Sequence, residues 1–99
     1  MYAPSLSDIL TDANLLAGWA KVRENQGAPG LDGQTIEQFE RRLLANLSTL
    51  RDEVHYDTYR PLPLLRVEIP KKDGGKRPLS IPVVRDRVLQ SATAIALTP

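Results

Sequence analysis

No cysteine occurs anywhere in the 99 residues, and there is a single histidine, His55. A disulfide framework and a thiolate metal centre are therefore excluded, and one imidazole cannot hold zinc by itself. Large rings are scarce as well: Trp19, Phe39, Tyr2, Tyr56 and Tyr59 are all the chain has. A chain of this size buries roughly 60 to 65% of the surface its unfolded form exposes, so marginal stability is expected of it in isolation. Apolar runs are short, far from the roughly 20 residues of a membrane span. Met1 to Leu10 has no basic run ahead of an apolar stretch, so neither secretion nor membrane insertion is expected. A cytoplasmic location suits this composition.

What is present is ordinary for one small globular unit over residues 1–99, with 41% hydrophobic and 25% charged residues. The net charge of +1 hides an uneven distribution. Residues 1–60 hold six Lys or Arg against nine Asp or Glu, whereas residues 61–99 hold seven against three, a net +4. Locally clustered cations are what binding to a polyanion requires, because they release its condensed counterions. A solvated basic hairpin without a ligand accounts for the same distribution.

Thr11 or Asp12 is placed to cap a first helix, in which Leu15, Leu16, Trp19 and Val22 recur at helical spacing until Asn25-Gln26-Gly27. The segment Asn25 to Gly33 carries Gly27, Gly30, Gly33 and Pro29, so its backbone is expected to turn tightly or approach something closely. Thr35-Ile36-Glu37-Gln38 reads as a capping box, and Ile36, Phe39, Leu43, Leu47, Leu50 and Val54 form one stripe of a single second helix. The helical part thus runs over 11–54.

Tyr59-Arg60-Pro61-Leu62-Pro63 contains two prolines and is expected to run extended into a hairpin over 64–82. Leu65, Val67 and Ile69 alternate with Arg66 and Glu68, and Arg77, Leu79 and Ile81 alternate with Pro78 and Ser80. A three-residue loop of Asp73 to Gly75 sets Ile69 opposite Leu79 and Val67 opposite Ile81, which keeps one face apolar. Beyond Pro82, a third helix is expected from near Asp86 to the end at residue 99, with Val84, Val88, Ala92 and Ile95 marking its face. The fold class that follows is α+β: two N-terminal helices, an antiparallel β-hairpin and a C-terminal helix.

In that register Lys71 faces Arg77 directly, with Lys72 and Lys76 beside the loop. Facing like charges cost stability unless an anion lies between them, which suggests a phosphate clamp built from a planar guanidinium and a point charge. The other reading is that both side chains splay into water. Glu37, Glu40, Asp52 and Glu53 are expected on the polar faces of helices, where solvation and local pairing explain them.

Four blocks occur in one order: Gln26-Gly27-Ala28-Pro29-Gly30-Leu31-Asp32-Gly33; Tyr59-Arg60-Pro61 with Pro63; Ile69-Pro70-Lys71-Lys72-Asp73-Gly74-Gly75-Lys76-Arg77-Pro78-Leu79-Ser80-Ile81-Pro82; and Asp86-Arg87 with Gln90. Their order and spacing resemble the opening blocks of bacterial and organellar group II intron reverse transcriptases of the maturase type, from about residue 11 onward. One departure is Ser91 before Ala92, where such proteins often carry glutamine or another polar residue.

The resemblance implies the fingers subdomain of a right-hand polymerase. It implies that Lys71 and Arg77 reach the triphosphate of an incoming nucleotide. It further implies that Asn25, Gly27, Gly30 and Gly33 lie over the RNA template, and that Lys72, Lys76, Arg87 and Gln90 meet template or RNA/DNA duplex. An exposed helix face explains Arg87 and Gln90 as well. The palm carboxylates that hold Mg2+ in the complete enzyme are expected downstream of residue 99, so no cofactor is expected in this chain and it should bind without polymerising. The alternative is a self-associating or protein- or RNA-binding module, with homodimer formation as one expectation.

Overall fold

The computed structural model describes residues 5–97. A short helix α1 (Leu6–Ile9), not expected from the sequence, is started by a capping box between Ser5 and Asp8. The Thr11 hydroxyl then accepts from the Asn14 N–H and starts α2 (Asp12–Asn25). The Asn14 carboxamide donates to the carbonyls of Ile9 and Ala92, each at 2.9 Å, tying the start of the chain to its last helix.

The capping box of Thr35 and Gln38 is present, but the expected second helix is two: α3 (Ile36–Arg41) and α4 (Leu43–His55). Arg42 leaves helical geometry at φ −127°, ψ 43°, and the Asn46 side chain donates to the Phe39 carbonyl at 2.9 Å across the break. Nothing in the local propensities of Glu40-Arg41-Arg42-Leu43 calls for an interruption. Both pieces still deliver their apolar stripe to one core: Phe39, Leu47 and Leu50 are buried, and Ile36, Leu43 and Val54 pack against them.

Strands β1 (Leu65–Pro70) and β2 (Lys76–Ile81) pair antiparallel, and α5 (Val84–Leu97) follows. The α+β architecture, with a hairpin between an N-terminal helical part and a C-terminal helix, is therefore as expected, although four helices rather than two precede the hairpin. Helix α5 begins at Val84 rather than near Asp86, and Ala96 rather than Ile95 is buried near its end. Residues 98–99 of the expected third helix lie outside the described residues.

The core is the crossing of α2 on α5. Leu15, Trp19 and Val22 meet Val84, Val88 and Ala92, while Leu16 is exposed. Gly18 makes the crossing close: a Cβ there would sit 2.8 Å from the Val88 carbonyl oxygen and 2.9 Å from the Ala92 nitrogen. Trp19 stacks on Phe39 with ring centroids 5.2 Å apart. Among the described residues no helix is long and apolar enough to cross a membrane.

Candidate nucleic-acid interface

The hairpin turns through Lys72-Asp73-Gly74, one residue earlier than expected. The Lys71 N–H donates to the Gly75 carbonyl at 2.7 Å, and the Gly74 N–H donates to the Lys71 carbonyl at 3.2 Å. Gly74 has φ +90°, a conformation that glycine adopts without steric cost, and the Asp73 carboxylate accepts from the Gly75 N–H. A three-residue loop whose last residue is a glycine at positive φ is a favoured hairpin connection. This chemistry moves the register by two residues: Val67 faces Leu79, Leu65 faces Ile81, and Ile69 faces Arg77. The shift is even, so the apolar residues still share one face.

Lys71 accordingly does not face Arg77. It sits one pair beyond, opposite Gly75, and the two cations are diagonal neighbours on the same face. Diagonal neighbours are about 7–8 Å apart, and at that distance in water two like charges repel by only about 0.5 kcal/mol. The pair is thus tolerable without an anion, and its placement does not demand one. Lys71, Lys72, Lys76 and Arg77 are all exposed. Lys76 lies 3.8 Å from Glu68 on the other face, a solvent-screened pair worth little. The result is a cluster of basic side chains at the free end of the hairpin.

The glycine-rich segment lies at the other end of β2. Gly30 is buried against Pro82 and Val83, where the chain leaves the strand for α5. Gln26, Gly27 and Gly33 have φ of 54°, 120° and 73°. The Arg87 guanidinium donates to the Ala28 carbonyl at 2.7 Å, and its Nη1 occupies space that a side chain on residue 27 would need. Arg87 Nε is buried without a hydrogen-bond partner, and burial lowers the pKa of this guanidinium, an effect that nearby Asp32 opposes. Asn25 is exposed at the end of α2, and Gln90 is exposed one turn after Arg87.

Seven of the ten expected site residues fall into two groups, and Asn25, Gly33 and Gln90 are in neither. Lys71, Lys72, Lys76 and Arg77 are together at the tip. Gly27, Gly30 and Arg87 are together at the base, beyond Ile81, which ends β2 four residues or about 13 Å from Arg77.

A further network, not expected from the sequence, lies at the start of α5 beside Arg87. Asp86, in the first turn of α5, is only 3% exposed; its carboxylate accepts from the Tyr59 hydroxyl and, at 3.2 Å, from the Leu62 N–H. Arg85 pairs with Glu53 at 2.5 Å, donates to the Arg60 carbonyl at 3.0 Å, and lies over the Tyr59 ring. Glu53 is thus half-buried in an ion pair with another helix instead of lying on a solvated face. Burial, followed by the bond to Asp86, raises the Tyr59 pKa. The available signal was the one acid within α5, in its first turn and flanked by Arg85 and Arg87.

No protein-family model matches the chain. It is similar to the protein YkfC of Escherichia coli, with 42% identity over 94 residues that make up 92% of this chain and 25% of that protein. It is also similar to a putative COX1/OXI3 intron 2 protein of Saccharomyces cerevisiae, at 28% identity over 85 residues, 84% of this chain and 10% of that protein. The chain thus spans about a quarter or less of the length of these relatives.

Proposed function

We propose that this chain is the N-terminal fingers portion of an RNA-directed DNA polymerase of the group II intron type, binding nucleic acid without catalysing on its own. The observation that carries the reading is the basic cluster of Lys71, Lys72, Lys76 and Arg77 at the exposed tip of a hairpin whose base is fastened to the glycine-rich segment. Exposed cations at the end of a projecting element suit the phosphates of a nucleotide or strand, and clusters of them act electrostatically on departing pyrophosphate in phosphoryl transfer. Similarity to a yeast protein named for an intron agrees with the reading. In this account Lys71 and Arg77 meet the triphosphate, the glycine-rich segment lies along template RNA, and Mg2+ belongs to palm carboxylates outside this chain.

A second reading is favoured by Leu44, which is 75% exposed and lines a groove with Leu16, Leu15 and Leu47. Apolar side chains in that position suit a protein contact, including a second copy of the chain. The test is titration of a labelled RNA/DNA primer-template at two salt concentrations, together with a mass measurement by light scattering. Binding that weakens with salt and on changing Lys71 and Arg77 to alanine supports the polymerase reading. No binding, with a clean dimer mass, transfers the chain to self-association.

A further inference from the structure

Little of the hairpin packs on the helical core. Leu65, Val67, Leu79 and Ile81 are half-buried, Ile69 is 39% exposed, and the tip residues are exposed. Its attitude is therefore decided where its two legs are attached. The outgoing leg runs through Pro82 into α5, with Val83 fully buried. The incoming leg is held by one side chain at two points, because Asp86 accepts from the Tyr59 hydroxyl and from the Leu62 N–H just before β1. Arg85 adds a hold on the same leg through the Arg60 carbonyl and anchors it to α4 through Glu53.

A buried carboxylate is a poor device for stability alone, since an apolar residue of similar size often serves as well. What it supplies is direction, because its acceptors fix where the donors must be. We infer that Asp86 is a positioning residue: by fixing Tyr59 and Leu62 it sets the attitude of the hairpin, and so the reach of Lys71 and Arg77, without touching phosphate itself. The inference rests on the proposed function for its consequence, but not for its geometry.

The lack of cysteine makes the geometry directly measurable. Lys72→Cys at the tip and Lys21→Cys on the exposed side of α2 accept a pair of spin labels, whose distance distribution reports the hairpin's attitude. Asp86→Asn and the milder Tyr59→Phe should both broaden or shift that distribution while the far-ultraviolet helical signal is kept. Unchanged distributions in Tyr59→Phe overturn the inference, whether or not Asp86→Asn folds.

In unlabelled chains with native Lys72 and Lys21, Tyr59→Phe should weaken primer-template binding about three- to tenfold, the range one hydrogen bond commands. Combined with Lys71→Ala and Arg77→Ala it should weaken binding no further. Where the double alanine variant binds more weakly than the parent, a full additive loss in the combination, or parental affinity in Tyr59→Phe, also overturns the inference. If the distributions change but the double alanine variant binds as the parent does, the phosphate reading fails and the positioning geometry stands.

Discussion

A Cβ placed on Gly30 would lie 2.6 Å from the backbone nitrogen of Val83 and 2.8 Å from the carbonyl carbon of Pro82. Backbone cannot swing aside as a flexible side chain does, so Gly30→Ala is expected to cost about 2–3 kcal/mol in urea unfolding, the upper part of the range for overpacking. Gly33 gives the comparison: it has φ +73° with open space around it, and Gly33→Ala should cost about 1 kcal/mol from conformation alone. Equal costs at the two positions would contradict the close approach of the glycine-rich segment to the start of α5.

Phe39 is 1% exposed and stacks on Trp19. Phe39→Ala should cost about 3–5 kcal/mol, a large share of the stability of any small domain. Trp19 emission is the readout, because it is the only tryptophan and reports its own core. A variant that keeps the parental emission and midpoint would show that α3 does not hold the core.

Tyr59 titrates above its ordinary value of 10.0 because the phenol is partly buried and bonded to Asp86. Since the folded pKa exceeds the unfolded one, the protonated phenol contributes stability that is fully present below pH 10 and is lost as pH rises through the folded value. Thermal midpoints measured from pH 8 to pH 11 should fall more steeply for the parent than for Tyr59→Phe. Parallel curves would mean that the phenol is not held in its protonated form by the fold.

The diagonal placement of Lys71 and Arg77 predicts little effect of either charge on folding. Lys71→Ala and Arg77→Ala should each change unfolding free energy by less than about 0.5 kcal/mol. A clear gain in stability would indicate that the cations face each other after all.

If those two cations each meet one phosphate of a nucleic acid, removing both should lower the slope of log affinity against log salt by about 1.4 to 1.8. A titration series in potassium chloride measures this. An unchanged slope would remove Lys71 and Arg77 from the phosphate contacts.

The elements governed by local chemistry were legible in the sequence. Thr11 and Thr35 cap helices because a hydroxyl meets an N–H three residues on, and Pro61 with Pro63 forbids helix whatever the surroundings. Alternation of Leu65, Val67 and Ile69 against charged residues determined the hairpin and its apolar face. The register was not legible, since face matching accepts any even shift and the expected loop, Asp73 to Gly75, ends on a glycine just as the observed one, Lys72 to Gly74, does.

Three features were decided only by the tertiary structure, and two of them join residues distant in sequence. The break at Arg42 has no local cause and is supported by Asn46 reaching back to Phe39. Arg87 is engaged with Ala28, 59 residues away, so a side chain expected to meet template also pins the glycine-rich segment. Asp86 joins Tyr59 and Leu62, 27 and 24 residues away, and no periodicity carries that information. Composition and spacing determined which cations occupy the hairpin; burial of a single carboxylate at the start of α5 decided where the hairpin points, because buried acceptors hold their donors in fixed directions whereas exposed charges do not.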